Sequence, residues 1–253
     1  MLSARDVSVT YANGVVALDS ANVDIKRGEF VVLLGKSGAG KSTLLRCFNG
    51  LVQPTSGDIR VEAFGSIFAS RAALREHRRR TGMVFQQHHL IGRLSALENV
   101  LMGRLSRHGG LRTLLPFGRT DRIAALEVLD RVGLADRALT RADQLSGGQQ
   151  QRVGIARAMA QQPTLMLADE PVASLDPATA VQVLGDLHRI CREDGITTVV
   201  SLHQLDLARR FADRIIGLAG GRVVFSAGPG ELANESLETI YSKPAAPLPV
   251  AAE

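Results

Sequence analysis

Apolar and polar positions alternate near the start of the chain: Val7, Val9 and Tyr11 are separated by polar residues, and Val23 and Ile25 resume the pattern after the turn signal Asn13-Gly14. Period two around such a turn predicts a small antiparallel sheet with one buried face. Phe30-Val31-Val32-Leu33-Leu34 is continuously apolar instead, the pattern of a parallel strand covered on both faces. A Gly-rich turn follows, then a predicted helix from Ser42 to Phe48 that ends near Gly50. From about Gln87 to Ala160, apolar residues recur at helical spacing, as Leu94, Leu97 and Leu101 and as Ile123, Leu126 and Leu129. That predicts a mainly helical insert. Strand character returns at Leu165-Met166-Leu167-Ala168, followed by a helix around Ala178 to Cys191 and a buried strand from Ile196 to Leu202. A closing hairpin is expected over Arg214 to Phe225, broken at Gly220-Gly221, and a frayed tail over Lys243 to Glu253. Strands alternating with helices imply an α/β fold around a parallel sheet.

Composition narrows this picture only slightly. With 253 residues, of which 45% are apolar and 22% charged, the chain can bury a core and is not disordered. Apolar runs such as Phe30 to Leu34 stop far short of the ~20 residues a membrane-spanning helix needs. Met1 to Val9 carries Arg5 and Asp6 and lacks a signal peptide's apolar stretch, so a cytoplasmic chain is expected. Cys47 and Cys191 have neither CxxC spacing nor neighbouring histidines, which argues for buried thiols over zinc or disulfides. The formal charge of +5 suits an anionic partner without choosing one. The basic run Arg75, His77, Arg78, Arg79 and Arg80 reads as a solvated helix face, with nucleic acid or lipid headgroups as the alternative.

The chemistry lies in three short segments. Gly35-Lys36-Ser37-Gly38-Ala39-Gly40-Lys41-Ser42 satisfies G-x-x-x-x-G-K-[ST] between a predicted strand and a predicted helix. Its glycines let backbone N–H groups curl around phosphates, the helix start adds a favourable dipole, Lys41 reaches the β- and γ-phosphates, and Ser42 offers a hydroxyl to Mg²⁺. Asp169-Glu170 ends an apolar strand. Alone, such a pair fits the start of a helix. Beside a phosphate loop, Asp169 suits the metal and Glu170 the attacking water. Leu145-Ser146-Gly147-Gly148-Gln149 opens a helix with Ser146 at the N-cap position, which is either a plain cap and turn or a second anion site. One mononucleotide needs only one such site.

Taken in order, Gly35 to Thr43, Gln86, Leu145 to Gln149, Leu165 to Glu170, Ser174-Leu175-Asp176 and His203 resemble the ATP-binding subunit of an ABC transporter over roughly Leu2 to Gly228. The resemblance implies a P-loop NTPase (RecA-like) parallel-sheet core with an N-terminal antiparallel β subdomain and an inserted helical subdomain. Residues 1–86 and 161–228 would form the nucleotide-binding core, 87–160 the helical signature subdomain, and 229–253 a tail, in one ABC ATPase domain. It also implies two copies packed head to tail, each ATP lying between one copy's phosphate loop and the other's signature. By position, Tyr11 would stack on adenine, Gly35 to Thr43 would hold the phosphates, and Gln86 would sense Mg²⁺ and water. Ser146, Gly147, Gly148 and Gln149 would meet the γ-phosphate in trans, Asp176 would lie in the loop coupling the two sites, and His203 would contact the γ-phosphate and help orient Glu170. Blander readings are sheet packing for Tyr11, a surface polar residue for Gln86 and a strand-end histidine for His203. Lys36 departs from the proline usual there in importers and is expected to point away from the phosphates.

The segment from Gln87 to Leu101 would line the groove that receives a permease, with Leu90, Ile91, Leu94 and Leu97 as an apolar patch or as the subdomain's own core. Arg93-Leu94-Ser95, Gly103-Arg104-Leu105, the Leu111 to Gly118 insert, Arg131-Val132-Gly133-Leu134, Asp194-Gly195-Ile196-Thr197 and Leu202-His203-Gln204 are similar to phosphonate importers. That resemblance implies ATP and Mg²⁺ as cofactors and membrane permease subunits as partners, with an extracytoplasmic solute-binding protein as an indirect one. It also implies a peripheral place on the cytoplasmic face of the inner membrane and no nucleic acid. Phosphate, phosphite or methionine import is the next possibility, then a soluble ABC ATPase acting on nucleic acid. A P-loop kinase would leave Leu145 to Gln149 unexplained.

Overall fold

The computed structural model describes residues 1–86, 89–108 and 116–232. Gln87 and His88, residues 109–115, including the start of the insert, and the tail from residue 233 lie outside the described residues. In chain order the strands and helices are β1 Leu2–Thr10, β2 Val16–Ile25, β3 Phe30–Leu34, α1 Lys41–Phe48, β4 Ser56–Val61, β5 Gly65–Ser66, α2 Arg71–Arg80, β6 Thr81–Val84 and α3 Ala96–Gly103. They continue as α4 Arg119–Arg131, α5 Gly147–Ala160, β7 Leu165–Asp169, α6 Pro177–Glu193, β8 Thr197–Leu202, α7 Leu205–Phe211, β9 Arg214–Ala219 and β10 Arg222–Ala227. The chain divides into two compact units, Met1–Arg75 with the described residues from Val199 onward, and Glu76–Thr198.

In the first unit β1 pairs antiparallel with both β2 and β4, giving a four-stranded sheet in the order β2-β1-β4-β5. The inward positions change phase within β1 and β2. Leu2 and Ala4 are buried, then Val7 and Val9; Leu18 is buried, then Ala21, Val23 and Ile25. Each change sits at a residue with positive φ, Asp6 at 48° and Ser20 at 47°, beside register shifts. These are bulges that re-aim the strand. Asn22 Oδ1 accepts from Asp6 N at 3.0 Å, and Ser8 Oγ accepts from Ser20 N at 3.0 Å, which satisfies the amides the bulges take out of the ladder. In the same unit β3 runs parallel to β9, and β9 pairs antiparallel with β10 through the Gly220-Gly221 turn. All five residues of β3 are buried, as its unbroken apolar run predicts. Cys47 is buried as expected, and burial pushes its thiol up to about 12.

In the second unit β6 and β7 pair in parallel, α5 packs against β6, and α3, α4 and α6 pack against α5. Cys191 is buried on α6, where burial pushes its thiol up to about 11. Two expectations need correcting. Ile123 and Leu126 are exposed, at 46% and 40%. The buried stripe of α4 is Asp121, Ala125 and Leu129, continued by Val132 just beyond the helix, because a buried ion pair and not an apolar residue sets its phase. His77 is buried at 3% and is not part of the solvated face. Its carbonyl accepts from the Thr81 hydroxyl at 2.9 Å. Arg75, Arg78, Arg79 and Arg80 are exposed, and Glu76 pairs with the last two.

The ion pair on α4 is Arg104 with Asp121, at 2.6 Å and with both side chains about nine-tenths buried. Arg104 Nη1 also donates to Ala160 O at 3.3 Å, and His108 Nε2 lies 2.9 Å from the second Asp121 oxygen. The Arg104 guanidinium bonds the Asp121 carboxyl and holds it below its usual range, against the opposing effect of burial. A depressed carboxylate stabilises the fold above its ordinary pKa and loses that contribution on acidification. Asp121→Asn, which strands a buried guanidinium, is therefore expected to cost about 3 kcal/mol at neutral pH. In urea titrations this difference from the parent should shrink as pH falls below the usual carboxyl value of 3.8.

Candidate nucleotide site

The phosphate loop leaves the carboxyl end of β3, where parallel sheets bind ligands. It is held by backbone contacts within the first unit. Ala39 O accepts from Gly221 N at 3.2 Å, and Gly221 O accepts from Asp19 N at 3.0 Å. Two of its glycines are sterically required: a Cβ at Gly35 would lie 2.5 Å from Leu218 O, and one at Gly40 would lie 2.6 Å from Ala17 O. Gly40 also adopts φ 102° at the N-cap of α1, a conformation that side chains resist.

Lys41 is 3% exposed, and its Nζ donates to Gly35 O at 2.7 Å and Lys36 O at 3.1 Å. The ammonium is thus aimed across the loop by the loop's own carbonyls. Ser42 follows at the second position of α1, where a hydroxyl oxygen stands beside the helix start. The Lys36 side chain is exposed. Tyr11 lies just past β1, 38% exposed, and its hydroxyl is 3.1 Å from Thr43 Oγ1. This contact places the tyrosine beside the phosphate loop and off the buried face of its sheet. His203 is exposed at the end of β8, in the same unit.

The second unit carries the remaining candidates. Val84 of β6 stands opposite Ala168 of β7, so Gln86 and the pair Asp169-Glu170 leave the same end of two parallel strands. Gln86 is exposed and Asp169 is buried at 6%. Glu170 has φ 45°. Non-glycine residues in that region cost about 1–3 kcal/mol and cluster at functional sites. Turns then carry the chain through Val172 and Leu175 to Asp176, which caps α6 by accepting from Thr179 N at 3.0 Å. Bonds from Thr179, its side chain first, hold the Asp176 carboxyl below its usual range.

Ser146 caps α5 as its position predicts. Its hydroxyl accepts from Gln149 N at 3.3 Å, and Gln149 Oε1 accepts from Ser146 N at 3.0 Å, completing a capping box. Gln149, expected at the phosphate, is thus already engaged in closing the cap. The amides of Gly147 and Gly148 sit at the first two helical positions, where no intrahelical acceptor exists. Gly148 faces α6: a Cβ there would lie 2.5 Å from Thr179 Cγ2. The start of α5 and the Leu175–Thr179 segment are therefore one packed feature, which their separation in sequence does not show. Thr179 could be anticipated only as the third residue of a helix opened by Asp-Pro.

Ahead of this feature, Ile91 is 43% exposed while Leu90, Leu94 and Leu97 are half-buried. Part of the expected apolar patch thus faces outward and part packs inward. Asn99, fully buried, holds the turn before α3 by accepting from Ile91 N at 2.8 Å and donating to the carbonyls of Ile91, Leu94 and Ser95. No motif marks this asparagine; a polar residue on the apolar face of a helix is the signal that would find it.

Among the described residues no helix is long and apolar enough to cross a membrane. The family model described as ABC transporter matches residues 18–173. The chain is 61% identical to the phosphite import ATP-binding protein PxtA of Stutzerimonas stutzeri, over 96% of this chain and 87% of that protein. It is 57% identical to the phosphonates import ATP-binding protein PhnC 2 of Cupriavidus metallidurans, with the same coverage. Among solved structures it matches a dimeric, post-hydrolysis ATP-binding cassette, MJ0796 bound to ADP and Pi, at TM-score 0.80 and 39% identity, over 90% of this chain and 99% of that one. A phosphate loop, a capped signature helix and a family match across both place the chain in the ABC transporter family, as one of its ATP-binding cassettes.

Proposed function

We propose that this chain is the ATP-hydrolysing subunit of an importer for phosphonates or related phosphorus oxyanions such as phosphite. The observation that carries this reading is the pairing of a complete phosphate loop with a second, serine-capped helix start in a chain 61% identical to a phosphite import subunit. Two copies bind ATP head to tail, the loop of one opposite Ser146, Gly147 and Gly148 of the other; the dimeric cassette it resembles supports that assembly. Residues 87–160 serve as the signature subdomain between the two stretches of nucleotide-binding core. The cassette sits on the cytoplasmic face of the inner membrane against permease subunits, and the solute-binding protein acts on it only through them.

Within each site Gly35 to Thr43 bind the phosphates, and Tyr11 supplies the aromatic face for adenine. Ser42, Gln86 and Asp169 offer only oxygen ligands, the donor set that suits Mg²⁺. When bound, Mg²⁺ neutralises charge on the β- and γ-phosphates. Glu170 takes the role of orienting and deprotonating the attacking water. His203 contacts the γ-phosphate and steadies Glu170, while Asp176 links the two sites through the packed α5–α6 feature. The product of the cycle is motion, since closing and reopening the dimer is what the permease receives.

Glu170→Gln keeps the phosphate and metal ligands but removes the base. Hydrolysis is expected to fall by about 10²–10⁴-fold, while ATP binding persists and a dimer accumulates in size-exclusion chromatography. Turnover at the parent rate would sink the assignment. Gly148→Ala is expected to lose most ATPase activity, because overpacking of about 1–3 kcal/mol moves the start of α5 away from Thr179. Adding Thr179→Ser, which removes Cγ2 and keeps the hydroxyl toward Asp176, should restore a large part of it. Equal losses in the single and double variants would show that the contact is unimportant. Co-purification of a multi-spanning permease with the trapped dimer from its own membranes, and loss of phosphonate or phosphite uptake on deleting the chain, would confirm the importer. Recovery of nucleic acid or ribosomes without a permease would overturn it.

A further inference from the structure

Between Gly92 and Asp143, two segments remote in sequence run side by side in the second unit. Leu97 N donates to Ala138 O and Ala96 N to Thr140 O, both at 2.9 Å; Ala142 N donates to Leu94 O at 2.9 Å and Asp143 N to Gly92 O at 3.1 Å. Ser95 and Arg141 bridge antiparallel between them. This short ladder ties the turn that Asn99 holds to the approach segment of α5. One side chain then joins the ladder to α5 itself. Gln150 Nε2 donates to Ala142 O at 3.1 Å and to Leu145 O at 3.0 Å.

Ala142 is engaged at both ends of its peptide unit, its N–H by Leu94 and its carbonyl by Gln150. A displacement at the start of α5 therefore pulls on Ala142 and, through it, on Leu94. At the other side of the ladder Gly92 closes against Asp143, where an added Cβ would lie 3.3 Å from Asp143 Cβ. Four bonds from Asn99 make the Ile91–Ser95 turn respond as one piece. Ile91 and Arg93 are the exposed side chains at the far end of this route.

We propose that Gln150 is a positioning residue that couples the Ser146 helix start to the exposed Ile91–Leu94 turn through Ala142 and the ladder. Its side-chain amide holds the carbonyls of Ala142 and Leu145 to α5, and it passes any shift of that helix start to the turn. The inference rests on the reading that Ser146 to Gly148 engage ATP. Its physical warrant is the run of backbone hydrogen bonds from Gly92 to Ala142, whose carbonyl takes the Gln150 amide at 3.1 Å beside a longer backbone bond from Leu145 N at 3.3 Å; one substitution removes the shorter of the two.

The test uses the full chain carrying Glu170→Gln and hydrogen–deuterium exchange with and without Mg·ATP. With Gln150 in place, ATP should slow exchange at 35–43, at 146–149 and in the ladder segments 91–97 and 138–145, by about threefold or more, the size expected for one intramolecular hydrogen bond. Gln150→Met keeps the length and removes the donor. It should retain the slowing at 35–43 and 146–149 and lose it at 91–97. Gln150→Lys restores a donor on a long stem and should recover the response. If Gln150→Met lowers the melting temperature, the Lys variant at matched stability separates coupling from folding. Slowing at 91–97 that survives in Gln150→Met overturns the proposal alone. A response at 35–43 with none at 146–149 in the Gln150 chain overturns the signature reading and the proposal with it.

Discussion

The structure depends on one close approach, that of the phosphate-loop backbone to its neighbours. Gly35 packs so near Leu218 O, and Gly40 so near Ala17 O, that neither position has room for a Cβ. The loop is thereby seated on the end of β9 and on β2 at once. Gly221 stitches the same elements by donating to Ala39 and accepting from Asp19. A loop that must present its own N–H groups to phosphate has only its carbonyls left for bracing, and the Lys41 side chain takes two of them. It needs rigid backbone behind it, and the antiparallel sheet and the β9–β10 hairpin supply that. The bulges at Asp6 and Ser20 bend the first two strands of that sheet.

The chain contains two helix starts suited to anions, and they are built by different means. At α1 the cap is a left-handed glycine without a side-chain bond, and a buried lysine folds back onto the loop carbonyls. The site brings its own charge. At α5 a capping box closes the third amide and the cap's own amide, leaving Gly147 and Gly148 at the first two positions with no charged side chain in the turn. Such a start attracts an anion through its amides and dipole alone. The first is suited to hold a phosphate in its own right; the second is suited to touch a phosphate already held elsewhere. That asymmetry fits the proposed head-to-tail pair, in which each nucleotide would be anchored by one copy and read by the other.

Much of this could be read in the residues, and the misses share a cause. The unbroken apolar runs of β3 and β7, the Gly220-Gly221 hairpin and the Ser146 cap all follow from local rules, because each is decided by neighbours in sequence. Ile123 and Leu126 misled because the phase of α4 is set by Asp121, whose partner Arg104 lies seventeen residues away. His77 misled because it shares a helix with five exposed arginines while its own side chain is buried. Asn99, Gln150 and Thr179 carried no motif, since each acts on backbone or on a side chain reached only after folding. Apolar period reports which face is buried. It is silent on which buried polar group fixes the register of that face.

Glu170 shows what the fold holds under strain. Its φ of 45° is one that glycine or asparagine adopts at lower cost. A side chain of no use there would be easier to replace than to accommodate, so the strained backbone points to the carboxylate itself as the needed group. The strain has a mechanical source in the chain. β7 ends at buried Asp169, and the turns through Val172 and Leu175 must reach the Asp176 cap of α6 within seven residues. A sharp reversal at Glu170 lets Asp169 remain in the strand while the next side chain turns off it. Two adjacent carboxylates, which in a regular strand would point to opposite faces, are thereby freed from that alternation, as the proposed roles of Asp169 at the metal and Glu170 at the water require.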